Sequence, residues 1–166
     1  MTYGISGGGR SAEEAYILAT GALPSPRAAL GDAVLEGTSV EIKRASRNTL
    51  NQVRAVKYIP LVVYDQTSED WFVVPAHVVV ALVSRKTRGQ HTENPFESAT
   101  LSVQQLGPYK VMGTQDLRSA TLEAIAAAED YAPLRTEMQR VLVASKELAE
   151  ESHRRVHATL RQLGLL

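Results

Sequence analysis

The pattern of apolar and polar positions predicts a helix and then a hairpin at the start of the chain. Ser11 followed by Glu14 matches a capping box, so we expect a helix from Ser11 to about Thr20. Two short apolar runs, residues 33–35 and 39–43, flank a Glu-Gly-Thr turn. Such runs around a glycine-containing turn predict two antiparallel strands.

The middle of the chain alternates between predicted helix and strand. Residues 48–57 are predicted to form a basic helix because their apolar positions recur every three residues: Leu50, Val53 and Val56. The apolar runs 61–64 and 71–74 predict two buried strands on either side of a polar turn. Residues 76–83 are compatible with a strand, from three consecutive valines, or with a short helix after a proline.

The last part of the chain is predicted to be helical. A long polar loop is expected at 84–98, followed by a helix from Thr114 to about Asp130 and a long helix from Pro133 to near Gly164. We therefore predict an α/β fold, a mixed β-sheet flanked by helices, over residues 1–113. A C-terminal helical extension for packing or dimerisation is predicted over residues 114–166.

Composition excludes several functional classes. The 166 residues include no cysteine, which excludes disulfides, thiolate metal sites and a cysteine nucleophile. No apolar run approaches the roughly 20 residues that span a bilayer, and the N-terminal ten residues lack the apolar segment of a secretory signal. A cytoplasmic protein without a membrane partner is the expectation.

Net charge is zero, but the basic residues are unevenly distributed. No acidic residue occurs between Arg44 and Tyr58, a segment that carries four of the 18 basic residues. A locally basic face on a neutral protein is typical of a protein that binds a polyanion at one place. A solvated helix face is the alternative interpretation.

One group of residues has the chemistry of a metal-dependent hydrolase. Strand side chains alternate between faces, so Glu41 and Lys43 are expected to project together on the face opposite Ile42. Asp32, at the start of the partner strand, would bring a second carboxylate beside Glu41. Mg²⁺ prefers such oxygen ligands, and a neighbouring lysine can position a water molecule and stabilise charge on a phosphate.

The order and spacing of these residues resemble the PD-(D/E)XK nuclease superfamily, in particular type II restriction endonucleases and archaeal-type Holliday junction resolvases. The resemblance covers about residues 10–83. It implies a restriction-endonuclease-like fold and hydrolysis of DNA phosphodiester bonds to 5′-phosphate ends. The chain departs from the family pattern at Gly31, where the family has a proline before the aspartate.

The resemblance also assigns roles. Asp32 and Glu41 would bind Mg²⁺, for which Mn²⁺ can substitute, together with the Ile42 carbonyl. Lys43 would be the catalytic lysine. Glu14, with Glu13 as the alternative, would be the assisting carboxylate on the helix.

We predict a site-specific endonuclease that acts as a homodimer on double-stranded DNA. A structure-specific nuclease acting on branched DNA is the first alternative, and a non-catalytic DNA-binding module is the second. A helical interaction protein, with an accidental Glu-x-Lys triplet, is a third. The residues expected to contact DNA are Arg10, Arg47, Gln52, Arg54, Lys57, Arg85, Lys86, Arg88, Gln90 and His91.

Overall fold

The computed structural model describes residues 9–86, 95–143 and 149–166, which form a mixed α/β fold. The helices are α1 (Gly9–Thr20), α2 (Ala76–Ser84), α3 (Leu117–Glu129), α4 (Ala132–Val143) and α5 (Ala149–Gln162). The strands are β1 (Leu23–Pro24), β2 (Ala33–Leu35), β3 (Thr38–Ala45), β4 (Thr49–Val53), β5 (Leu61–Asp65), β6 (Asp70–Val74), β7 (Ala99–Ser102) and β8 (Lys110–Val111). Short 3₁₀ turns cover Ala55–Lys57, Val103–Tyr109 and Thr114–Asp116.

Six of these strands form one mixed sheet in the order β1-β2-β3-β5-β6-β8. Strand β3 pairs antiparallel with β2 on one side and parallel with β5 on the other. The remaining pairs in this sheet are antiparallel, and β4 pairs separately with β7 in a two-stranded ribbon. Because β3 has a neighbour on both sides, its backbone position is set from both edges.

Helices cover both faces of the large sheet. Along β5, Val62 contributes to one core and Val63 to the other, as the alternation of strand side chains requires. The core containing Val62 is completed mainly by α1 and α3, and the core containing Val63 is completed by α2, α4 and α5. Within the described ranges, no helix is long and apolar enough to cross a membrane.

Several predicted elements are confirmed. Helix α1 ends at Thr20, and Gly21 follows with φ of 74° while its amide donates to the Ile17 carbonyl at 2.9 Å. The helix begins at Gly9, so Ser11 lies inside the first turn and the predicted N-cap is wrong. The hairpin and the two buried strands occur where expected, and residues 76–83 belong to helix α2.

The predicted helix over residues 48–57 is wrong, because this segment forms β4 and a 3₁₀ turn. Leu50 pairs with Leu101 and Val53 with Ala99, so the register shifts by one residue between them. This β-bulge places residues three apart on the same buried face of a strand, which reproduces the apolar spacing of a helix. The apolar spacing is therefore present, but a β-bulge in a strand produces it and not a helix.

The predicted last helix is also wrong, since its two halves are separate helices that pack against each other. Met138 of α4 and Leu160 of α5 lie in the same core as Val63 and Phe72 of the sheet. The helices after residue 113 therefore pack on the same core as the sheet. Helix α3 begins at Leu117, three residues later than predicted, because a 3₁₀ turn precedes it.

The shared core predicts that the C-terminal helices stabilise the whole fold. Leu160 is completely buried, and Leu160→Ala should lower the free energy of unfolding by about 2–5 kcal/mol. Leu142→Ala, at a leucine that is 52% exposed on α4, is the matched control and should change it by less than about 0.5 kcal/mol. Chemical denaturation measures both, and equal effects would contradict a shared core.

Two histidines next to this core predict a loss of stability in mild acid. His77 stacks on Tyr131, and His153 lies edge-on to Phe96. Burial lowers the pKa of His77. Burial also lowers the pKa of His153, and the neighbouring His157 lowers it further. The unfolded chain, with histidine pKa values of about 6.5, then takes up protons that the folded chain resists.

This contribution to stability should therefore be complete well above about pH 6.5, and it should decline as the pH falls through this value toward the lowered pKa values of the folded state. We expect the free energy of unfolding, measured with urea, to drop between about pH 7.5 and pH 5.5. The drop should be smaller in His77→Gln and in His153→Gln. A pH dependence identical to that of the wild type in both variants would contradict this assignment.

Candidate active site at the end of the β2–β3 hairpin

The hairpin brings Asp32 next to β3, as the sequence predicts. Ala33 pairs with Val40, and the Asp32 amide just before it donates to the Val40 carbonyl at 2.9 Å. The preceding Gly31 has φ of 151°, and a Cβ at this position would lie 3.0 Å from the Val40 carbonyl oxygen. Glycine before the aspartate therefore permits this close approach of the two strands.

Where β2 begins, the Asp32 carboxylate replaces the β2 backbone as the hydrogen-bond partner of β3. Its Oδ2 accepts a hydrogen bond of 2.7 Å from the Ile42 amide. In a strand, the N–H and C=O of one residue point to the same side, so the Ile42 carbonyl is directed toward Asp32 as well. The neighbouring Glu41 amide instead donates to the Pro60 carbonyl at 3.0 Å, on the β5 side.

Glu41 and Lys43 project together from the opposite face of β3 to Ile42. Lys43 Nζ lies 3.8 Å from Glu41 Oε1, and the two side chains are 20% and 15% exposed. They are partly covered but still reach solvent. The predicted alternation of β3 is therefore confirmed, and Asp32 lies near enough to Glu41 and Lys43 for both charges to shift its pKa.

Lys57 completes this cluster, and its position corrects a prediction. The sequence predicts that Lys57 lies on a helix, which is wrong, and that it contacts DNA phosphate, which stays a prediction. Instead it ends the 3₁₀ turn Ala55–Lys57, and its Nζ donates to Glu41 Oε2 at 2.8 Å with only 13% of the side chain exposed. Glu41 therefore has a lysine at each carboxylate oxygen. No sequence signal indicated this pair, because sixteen residues and a ribbon strand separate its members.

The C-terminal helices hold the segment that carries Lys57. The next residue, Tyr58, is buried, and its hydroxyl donates to the backbone carbonyls of Ala128 and Tyr131 at 3.1 and 3.2 Å. Arg135 lies over the ring of Tyr58 at 5.4 Å. Burial raises the pKa of Tyr58 to about 12, so this hydroxyl keeps its proton and remains a donor.

The electrostatics of Asp32 fit a cation site. Burial raises the pKa of the Asp32 carboxyl, the Ile42 amide lowers it, and the charge of Glu41 raises it again. Lys57 and Lys43 lower it by smaller amounts. Two carboxylates that repel each other beside a backbone carbonyl form an oxygen donor set of the kind Mg²⁺ takes, since Mg²⁺ needs only one or two carboxylates and keeps several waters.

Outside the masked segments, no group of three or more histidine, aspartate or glutamate side chains is placed to hold a metal. The candidate oxygen donors for Mg²⁺ are Asp32, Glu41 and the Ile42 carbonyl.

Glu14 is not brought to this cluster. Helix α1 buries Ala12 and Tyr16 in the core that also contains Val40 and Ile42, on the other face of β3 from Glu41. Glu14 is exposed on the outer side of this helix, whereas Glu13 is half-buried. We therefore leave Glu14 out of the site proposed below.

The other predicted contacts with DNA fall in three places. Arg47, Gln52 and Arg54 are exposed on or beside β4. Arg85 and Lys86 follow the end of α2, with Arg85 exposed. The Arg10 side chain and residues Arg88, Gln90 and His91 lie outside what the structure describes.

Comparisons with known proteins give no independent assignment: no family model, curated protein or solved structure matches this chain.

The Lys57–Glu41 pair should contribute to stability. Lys57→Met removes a mostly buried partner of Glu41 and should lower the free energy of unfolding by about 1–3 kcal/mol. Arg155→Met is the control, because it breaks a helix pair with Glu151 that is about half exposed and should change it by less than about 1 kcal/mol. If urea denaturation gives equal losses, the two pairs are energetically equivalent and Lys57 does not hold Glu41.

Proposed function

We propose that the protein is a Mg²⁺-dependent DNA endonuclease with a restriction-endonuclease-like fold. The observation that carries this proposal is the clustering of Asp32, the Ile42 backbone, Glu41 and Lys43 where the β2–β3 hairpin opens. Helix α1, the β2–β3 hairpin and the strands β5 and β6 follow the order that the resemblance implies. Where the resemblance implies a helix after the hairpin, the chain has β4 and a 3₁₀ turn.

Each residue has a distinct role in this proposal. Asp32, Glu41 and the Ile42 carbonyl would hold Mg²⁺, which when bound supplies positive charge against the phosphate and acidifies water. The Ile42 amide holds the Asp32 carboxylate in place through its hydrogen bond. Lys43 would orient the attacking water and stabilise negative charge on the phosphate. Lys57 neutralises Glu41 and fixes the position of its carboxylate.

A homodimer is part of the proposal, since two copies would supply one site for each strand of a duplex. A non-catalytic DNA-binding module is the second candidate. The specific observation in its favour is that two lysines already balance the charge of Glu41 without a metal ion.

Cleavage assays separate these candidates. Purified protein is incubated with plasmid, linear duplex and a four-way junction, in Mg²⁺ and in EDTA. We expect cutting in Mg²⁺ only, with discrete fragments from linear duplex. Cutting confined to the junction would instead indicate the structure-specific alternative, and DNA binding without any cutting would indicate the non-catalytic module.

Two substitutions test the assigned site. Lys43→Ala and Asp32→Asn should each lower the cleavage rate by about 10²-fold or more while leaving DNA binding in place. Asp32→Asn should remain at least as stable as the wild type at neutral pH, because the raised pKa of Asp32 shows that its charged form is the unfavourable one in the fold. Lys110→Ala, at a surface lysine paired with Asp70, is the matched control. Undiminished cleavage by Lys43→Ala would refute the site.

A further inference from the structure

The ribbon formed by β4 and β7 follows directly on the candidate active site. Strand β3, which carries Glu41 and Lys43, connects to β4 through the two-residue turn Arg47-Asn48, closed by a bridge between Ser46 and Thr49. Both turn residues have positive φ, 51° and 63°, as a tight two-residue hairpin turn requires. At its other end, β4 leads within four residues to Lys57. Strand β4 of the ribbon is therefore bracketed in sequence by the two lysines of the site, Lys43 and Lys57.

The two faces of the ribbon differ completely in character. One face, made of Leu50, Val53, Ala99 and Leu101, is buried in the core shared with the C-terminal helices. The other face is polar, with Asn51, Gln52 and Thr100 exposed and Ser102 half-buried. Neither strand contains an acidic residue, and Arg47 and Arg54 flank β4 at its two ends. Such a face complements a polyanion.

Cross-strand hydrogen bonds hold two amides of this face in fixed orientations. Thr100 Oγ1 donates to Asn51 Oδ1 at 3.3 Å, and Asn48 Nδ2 donates to Ser102 Oγ at 3.0 Å. Each bond occupies one hydrogen-bonding position of a carboxamide, so that Asn51 keeps a second lone pair on Oδ1 and both hydrogens on Nδ2 for a partner. Side chains held in this way lose little conformational entropy when they bind a partner.

The β-bulge gives the ribbon one further polar side chain on the same stretch. It falls between Leu50 and Val53, so that Asn51 and Gln52 are both exposed, and Gln52 has φ of 54°. Bulges frequently redirect side chains next to functional sites, and positive φ in a non-glycine residue persists only where the surrounding structure enforces it. Within the described residues, no hydrogen bond or ion pair is made by the side chains of Gln52 or Arg54.

We propose that the β4–β7 ribbon is the element that reads base sequence in duplex DNA, a statement that rests on the proposed function. The major groove of B-form DNA admits a two-stranded ribbon, and asparagine and glutamine form paired hydrogen bonds with the edge of adenine. Asn51 and Gln52 contact base edges in this arrangement. Arg47 and Arg54 contact the DNA phosphates on either side of these bases. These phosphates belong to the DNA strand that Lys43 and Glu41 face.

Selection of binding sites from a random duplex library tests the ribbon without requiring cleavage. The wild type in EDTA should enrich one motif. Asn51→Ala and Gln52→Gly should lose about 5- to 150-fold discrimination at one or two positions of that motif, with an unchanged salt dependence. Glycine suits the positive φ at Gln52, so the fold is preserved. Gln115→Ala, at an exposed glutamine away from the ribbon, is the matched control.

Arg54→Ala serves as the phosphate control. It should weaken binding to all duplexes alike and lower the slope of log K against log salt by about one. If Asn51→Ala and Gln52→Gly behave like Arg54→Ala, the ribbon contacts only the backbone and base reading is refuted. If the wild type enriches no motif, or binds a structured RNA more tightly than any duplex, the proposal is also refuted.

The two proposals can fail separately. Both ribbon variants keeping the wild-type motif would overturn the ribbon while cleavage still supports the nuclease. Ribbon-dependent sequence recognition by a protein that never cuts would keep the ribbon and overturn the nuclease.

Discussion

The hydrogen bond that the Ile42 amide donates to Asp32 ends the pairing of β2 with β3 and organises the site around it. Up to Val40, the edge of β3 is paired with the backbone of β2; at Ile42 a carboxylate takes over. A backbone amide at this depth requires a partner, and Asp32 supplies it. The same bond brings the negative charge of Asp32 close to Glu41. The strand-pairing geometry therefore creates a repulsion between two carboxylates, which Lys43 and Lys57 reduce.

The cluster contains two carboxylates and two lysines, and its formal charge is zero when all four are ionised. This balance explains how the site can form in the folded chain before any cation binds. It also means that a divalent cation must compete with Lys57 and Lys43 for the oxygens of Glu41. A phosphate backbone entering the site would offer the lysines an alternative partner, which links cation binding to DNA binding in the proposed nuclease.

The C-terminal helices support the site indirectly. The apolar face of the β4–β7 ribbon lies in the same core as these helices, and the Ala128 and Tyr131 carbonyls accept hydrogen bonds from the hydroxyl of Tyr58, the residue after Lys57. The proposed base-reading face and the second lysine of the site are thus fixed to the same core. A packing role for these helices follows from these contacts.

The local chemistry of β3 could be predicted from sequence because strand alternation acts over two residues and needs no distant partner. The same holds for the hairpin, for the buried strands and for the stop of α1 at Gly21. The β4 bulge could not be predicted, because Leu50 and Val53 follow a helical spacing and only the register with β7 shows them to be a strand. The division of the last helix was missed for a similar reason, since both halves have the same apolar period.

Residue order alone thus specified Asp32, Glu41 and Lys43 as neighbours on a hairpin, because a short turn leaves the chain few other ways to pair. Tertiary packing decided that Lys57 pairs with Glu41, that Glu14 faces away, and that β4 joins β7. Each of those outcomes depends on contacts between segments far apart in the chain, whose relative positions are set by burial of the two cores and not by any local preference.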